Sequence, residues 1–372
     1  MQTTKLQRVL LPVLIAMPTL ESKGPSWQAP TVEAAAQVQL EPKPNTVVWE
    51  GESGPGRGKH IVFIAGDHEY RGEETLPALA RILAKHYGFK CTFVVTTNPD
   101  SGEIQPGSNH ITGLESLRTA DLMVVFVRFQ HFADEQMQHI DDYLTSGRPV
   151  LGLRTSTHGF NGIKGKFARY NEGYDGGDES WKFGFGEHIL GEHWVGHFGR
   201  NHKQSSNLIL EETQLEHAIL RGVKKPHAVC GGYVGHPVEG SLTLARGQVL
   251  DGMRADSPPT KNEKQQVLHS VAWVRNYQPE KSSSRVFATT HGASEDILNE
   301  DFRRMLINAH LWCLGMEDAI RADAPIDFVG PYNPSTFNFD GYRRGVKPAD
   351  IAGFDAPIYD AGKSTSGEKE SE

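Results

Sequence analysis

Four short apolar runs, 60–65 (HIVFIA), 91–96, 122–127 (LMVVFV) and 149–153 (PVLGL), set the architecture of this chain. They are apolar throughout rather than alternating, as strands buried on both faces are. Between the first two, Leu79, Ile82 and Leu83 give a helix one buried side. Glu73 and Glu74 suit its positive end, Pro77 is tolerable only near its first turn, and Gly88 stops it. A short helix around 114–117 precedes the third run, and a helix over 134–145 follows it, with Met137, Ile140, Asp141 and Leu144 at helical spacing. Strand and helix in alternation predict an α/β fold: a doubly wound parallel sheet with right-handed crossovers and helices on both faces.

In the flavodoxin-like strand order 2-1-3-4-5 the first, third and fourth strands are neighbours, and ligands bind beyond their carboxyl ends. Each of the three ends here in polar residues. Asp67, His68, Glu69 and Arg71 follow the first, Arg128, Gln130 and His131 the third, and Arg154, Thr155, Ser156, Thr157 and His158 the fourth. A solvated face would scatter its charges without regard to strand ends, so this convergence predicts a site. Each residue also has a structural explanation: Asp67 as a turn cap, Arg71 as a partner of Glu73 or Glu74, Thr155 or Thr157 as a helix cap. A further strand over 285–290 ends in Thr289, Thr290 and His291, and a helix over 300–314 follows.

The 372 residues carry 38 basic against 46 acidic side chains, a net charge of −8, with no basic cluster, which argues against nucleic acid as a partner. Cys91, Cys230 and Cys313 are far apart and form no metal-binding or disulfide pattern. Seventeen histidines are the unusual feature. Four of them, His188, His193, His197 and His202, fall in a His-, Gly- and aromatic-rich insertion over 160–206, read as an elaborated loop or small subdomain over the site. There His193 and His197 stand four apart beside Glu192, a spacing that would suit Zn on a helix, although Gly191, Gly196 and Gly199 oppose a rigid one. The alternative is a lid whose histidines pack on Trp194 and Phe198. Strands are expected at 207–210, 242–245 and 270–275 and a helix at 215–220. Lys5 and Arg8 before the apolar run 9–17 match a secretory signal over 1–20, which predicts a secreted or periplasmic protein, with a cytoplasmic one as the alternative. Residues 21–59 read as a linker, with Val47 to Trp49 docking on the domain, and no integral membrane segment is expected.

GDHEYRGEE at 66–74, VLGLRTSTHGF at 150–160, LGEHWVGHFG at 190–199 and RVFATTHG at 285–292 resemble the ThuA-like (trehalose utilisation) family, within the class I glutamine amidotransferase-like superfamily. The resemblance implies a domain over 60–317 and a small carbohydrate as ligand; the Pro, Gly, Tyr and Phe content of 318–372 reads as a tail wrapping the domain and disordered at its end. True amidotransferases carry a cysteine in a Gly-x-Cys turn after the fourth strand. Here that turn is Gly152, Leu153, Arg154, with Thr155 and Ser156 as the nearest hydroxyls, so glutamine hydrolysis is not expected. His158 and His291 match recurrent family histidines, and His197 a less firmly anchored one.

The resulting expectation is an enzyme converting a disaccharide or keto-sugar derivative. His158, His291 and Glu69 are its catalytic candidates, and Arg154, Arg71, His68, Gln130, Ser156 and Tyr233 would bind substrate. His197 and His193 are the metal candidates, for a divalent ion such as Zn. A non-catalytic carbohydrate-binding protein is the competing expectation, and homo-oligomerisation is left open.

Overall fold

The computed structural model describes residues 45–358; the apolar run at 9–17 lies outside them. The first strands and helices are β1 (Thr46–Glu50), β2 (His60–Gly66), α1 (Gly72–Tyr87), β3 (Lys90–Val95) and β4 (Leu122–Val127). Next come α2 (Asp134–Thr145), β5 (Val150–Leu153), β6 (His197–Phe198), β7 (Ser206–Leu210), β8 (His227–Ala228) and β9 (Gly232–Tyr233). The last are β10 (Leu242–Val249), β11 (His269–Asn276), β12 (Arg285–Thr289) and α3 (Glu300–Cys313).

One mixed sheet of ten strands runs β1-β3-β2-β4-β5-β12-β11-β10-β7-β8, and β6 and β9 form a separate two-stranded ribbon. β3, β2, β4, β5 and β12 are mutually parallel. The sheet is therefore not the wholly parallel one that the alternation predicted. β12, β11, β10, β7 and β8 pair antiparallel in succession. The short connection 277–284 between β11 and β12 has no room for the crossover that a parallel pair requires.

Alternation along β2 shows why its run is apolar throughout: Ile61, Phe63 and Ala65 join one core with α1 and α3, while Val62 and Ile64 join the other with α2. The second core is completed from the insertion by Phe160, Phe167, Tyr170, Phe185, Ile189 and Leu190. Its first part is thus a packed layer rather than a lid. Trp273 Nε1 donates to the Leu190 carbonyl at 2.7 Å, and a Cβ on Gly152 would lie 2.6 Å from Leu190 Cδ1. The helix expected at 215–220 is replaced by 3-10 turns at Glu212–Gln214 and Ala218–Leu220, the second capped by the His217 ring. The region around 114–117 is likewise a 3-10 turn, Leu114–Thr119.

Both ends of the described chain close over α1. β1 adds an antiparallel edge to β3, so residues 46–50 are part of the sheet. It buries Trp49 under the Arg81 guanidinium, 5.5 Å from the ring centre. Arg81 also donates to the carbonyls of Ile351 and Ala356 at 2.7 and 2.6 Å, tying down the C-terminal strap. The strap covers the start of α1, so Glu73 and Glu74 are buried rather than solvated at the helix dipole. Burial and the neighbouring Glu73 push the Glu74 carboxyl up to about 8, and it accepts from Ser335 N and Oγ. Among the described residues no helix is long and apolar enough to cross a membrane.

Two outcomes follow for stability. Trp49→Ala is expected to cost about 3–5 kcal/mol in chemical denaturation. His310, buried in α3 against Phe63, is held neutral by burial, with its pKa lowered to about 4. A histidine lowered in the folded state contributes stability above its unfolded value of 6.5 and loses it as pH falls towards 4. The stability difference between wild type and His310→Gln should therefore shrink by about 3 kcal/mol across that window.

Candidate functional site

The turn after β5 starts with a strained residue: Arg154 has φ 42°, in the left-handed region, and opens a short 3-10 turn, Arg154–His158. This conformation sends the guanidinium inward. It donates through Nη1 to the carbonyls of Gly231 and Thr290, both at 2.7 Å. Its plane lies between the rings of Tyr70 and Tyr233, 3.7 and 4.6 Å from their centres. The ends of β2, β5, β9 and β12 therefore meet at one buried cation. Its placement is that of a keystone below the mouth, with no exposed surface of its own.

Above it lies His158, 2% exposed. Its ring is surrounded by Phe129 and Trp194, each 5.1 Å away, and by Tyr233 at 5.7 Å. Burial, then the Arg128 and Arg154 charges, hold this imidazole well below its ordinary pKa, so it is neutral at physiological pH. Glu69 after β2 forms a buried ion pair with Arg128 after β4. His197 stands at the rim, with Nε2 3.3 Å from the Tyr70 hydroxyl and its ring edge-on to Tyr233 and Trp194. His68 completes the β2 side with its ring 5.7 Å from Phe339. The structure thus brings together Glu69, Arg128, His158, His197, Tyr233 and His68, from separate segments.

Other sequence candidates lie elsewhere. His291 is fully buried below Arg154, its Nδ1 3.5 Å from Cys230 Sγ, and no hydrogen bond or ring contact links it to His158. Arg71, with φ 62° and no exposure, donates to the carbonyls of His68 and Asn338 and pairs with Glu73 at 3.5 Å. It holds the strap. Gln130 Nε2 bonds to the carbonyls of Gly66 and Arg128, and Ser156 Oγ donates to Val125 O at 2.8 Å, so both side chains join strand ends. Thr155 is buried. His131 is exposed, its backbone N–H bound to Asn109. Asp67 does cap its turn, accepting from the N–H groups of Glu69 and Tyr70.

The structure does not bring His193 and His197 together as the expected metal pair, because the chain between them is irregular rather than helical. His193 pairs with Glu187 at 2.5 Å and stacks on Phe183. Among the described residues, the one His/Cys/Asp/Glu group with ligand atoms within 4.8 Å of one another is Cys230, His291 and Asp296. Asp296 already accepts from the N–H groups of Val229, Cys230, Gly292 and Ala293 and from the Cys230 thiol, which burial keeps protonated. This is a hydrogen-bonded knot closing the turn after β12.

Sequence reasoning missed Tyr70, Phe129, Phe337 and Phe339. Tyr70 stood inside the GDHEYRGEE segment, and alternation in 337–339 (FNF) was the available signal for the other pair.

Comparison with solved structures gives one name in common with the sequence resemblance. The chain is similar to a ThuA-like protein from Parabacteroides merdae. The two are 11% identical over 76% of this chain and 97% of that one, with a TM-score of 0.42. The chain is also similar to the mmIFT52 N-terminal domain, at 11% identity over 68% of this chain and 97% of that one, with a TM-score of 0.39. A cold-adapted beta-galactosidase from Rahnella sp. R3 gives 12% identity over 67% of this chain and 31% of its own, with a TM-score of 0.39. No protein-family model and no curated protein sequence matches the chain.

Replacing Ser156 by Ala should lower unfolding free energy by about 1 kcal/mol, the worth of a buried hydrogen bond. Ligand affinity, by calorimetry on the same variant, should be unchanged.

Proposed function

We propose that this chain is a ThuA-like, carbohydrate-active enzyme that acts on a keto-sugar or disaccharide derivative. The observation that carries the reading is the His158 imidazole, held neutral and walled by Phe129, Trp194 and Tyr233 at the end of β5. Aromatic faces suit the C–H face of a pyranose, and an unprotonated imidazole can accept a proton from the carbon next to a carbonyl. The buried Arg128–Glu69 pair beside it offers a cation for the oxygen on which negative charge develops. The carbon next to the carbonyl loses its proton to His158 and the electron pair moves to the carbonyl oxygen; then either the pair returns and breaks a β-placed glycosidic C–O bond, whose oxygen takes the proton from His158, or the α-hydroxyl gives its proton to the enolate oxygen and its own pair forms a new carbonyl while the former carbonyl carbon takes the proton from His158. The first outcome is elimination and the second isomerisation.

The same reading makes the parallel half of the sheet a flavodoxin-like, class I glutamine amidotransferase-like core. Its support is the strand order β3-β2-β4-β5-β12 and the left-handed residue at the turn after β5. Arg154 occupies the place of a nucleophile there, so amidotransferase chemistry has no thiolate. Cys230, nearby, is kept as the thiol.

The test is turnover of keto-disaccharides, with unmodified disaccharides as controls, followed by product analysis. His158→Asn should reduce kcat by about a hundredfold or more while the fold persists. The pH–rate profile should show no inflection near 6.5. His291→Asn should lower stability and leave the pH profile unchanged. Saturable binding with no turnover of any keto-sugar would instead make this a carbohydrate-binding protein.

A further inference from the structure

The C-terminal strap carries a feature that the site described so far does not use. Phe339 is 53% exposed, yet it is not on a loose loop. Its two neighbours are pinned to the turn after β2: Asn338 N donates to Glu69 O and Asp340 N to His68 O, both at 2.9 Å. Asn338 O in turn accepts from the buried Arg71 guanidinium at 2.9 Å. Residues on either side of Phe339 thus face the turn, and its own ring is turned to the mouth, 4.8 Å from the Arg128 guanidinium and 5.7 Å from the His68 ring. Phe337, two residues earlier, is fully buried and stacked on Tyr70 and His202, which fixes the strap from the other end. Asp340 itself has φ 52°, a left-handed conformation that Asp and Asn tolerate.

Beside Phe339 opens a pocket of about 300 Å³ lined by His68, Gln105, Asp340, Tyr342 and Arg344, among others. Its polar groups are mixed: a carboxylate, a guanidinium, an amide and an imidazole. The Asp340 side chain is among those lining this pocket. His68 Nδ1 is shielded from solvent and has no hydrogen-bond partner. Such a set suits the several hydroxyls of a neutral ring, with donors and acceptors in turn, rather than a ligand of single charge.

We infer that the strap builds a second sugar subsite, in which Phe339 stacks on one pyranose ring of a disaccharide while His68, Gln105, Asp340 and Arg344 bind its hydroxyls. The inference rests on the carbohydrate reading above and adds what selects two rings over one. The first ring lies among His158, Trp194 and Tyr233, and His68 stands between the two subsites.

The experiment is calorimetric titration of the full chain with trehalose, maltose, cellobiose and lactose, with their keto forms, and with methyl glucoside and its keto form. Phe339→Ala, Asp340→Asn and the wild type are compared. Phe339 is exposed and Asn accepts the Asp340 backbone conformation, so both variants should fold, which circular dichroism checks. Phe339→Ala should weaken binding of the preferred disaccharide about tenfold, and Asp340→Asn severalfold, with the single-ring ligand unaffected. Equal weakening for one-ring and two-ring ligands, or no weakening of either, overturns the second subsite and leaves the carbohydrate reading standing. Failure of the wild type to bind any sugar in the panel overturns both.

Discussion

The site depends on one buried cation. A guanidinium taken out of water costs many kcal/mol unless its charge is met, and among the described residues no carboxylate forms an ion pair with Arg154. Two backbone carbonyls and two tyrosine faces meet it instead. These partners come from three segments besides its own, so the cation is stabilised only when the ends of β2, β5, β9 and β12 are all in place. Arginine is required here by shape as well as charge: a flat group can lie between two rings and still donate at its edge, which an ammonium cannot. The left-handed backbone at Arg154 costs on the order of 1–2 kcal/mol and is the condition for that inward direction. The same charge acts on the chemistry above and below it, since it is among the groups that keep His158 and His291 neutral.

This arrangement explains which parts of the molecule were legible in the sequence. The parallel strands were visible because both of their faces are buried, which leaves an uninterrupted apolar run whatever the neighbours are. Strand ends were visible for the same reason, as the points where apolar residues give way to polar ones. What a strand end does not encode is whether its side chain turns to the mouth or into the sheet. Arg154 and His158 sit four residues apart in one turn, and one is a support while the other faces the site. His291, read by the same rule, is fully buried beside a hydrogen-bonded turn around Asp296. That turn draws N–H groups from both 229–230 and 292–293, a non-local arrangement that no local pattern announces.

The tail shows a different limit of local reading. Its Pro, Gly, Tyr and Phe content marked it as wrapping, but its effect on α1 comes from where it wraps. Glu73 and Glu74 would be favourable in water at a helix start. Covered by the strap, they become groups whose ionised form is disfavoured, and Glu74 is stabilised by Ser335 as a hydrogen-bonded carboxyl. Arg71 bridges the two, touching Glu73 on one side and the strap carbonyl of Asn338 on the other. An arginine aligned by sequence with the site therefore serves it indirectly, by fixing the strap that carries Phe337 and Phe339.

The electrostatics of the mouth follow from these supports. Two guanidiniums lie close to His158, which on their own would draw anions. Arg128 is compensated by Glu69 within a buried pair, and Arg154 is screened by the rings of Tyr70 and Tyr233 and directed at backbone carbonyls. The field left at the mouth is weaker than the count of charges suggests, and the groups packed around the His158 imidazole are the rings of Phe129, Trp194 and Tyr233. A neutral ligand with a hydroxylated rim and an apolar face meets little desolvation cost in such a place, whereas a fully ionised one would find its matching charge already taken. The arrangement becomes strongly anion-stabilising only if negative charge develops within reach of Arg128 during a reaction, which is the condition under which a preorganised cation lowers a barrier rather than merely binding a ground state.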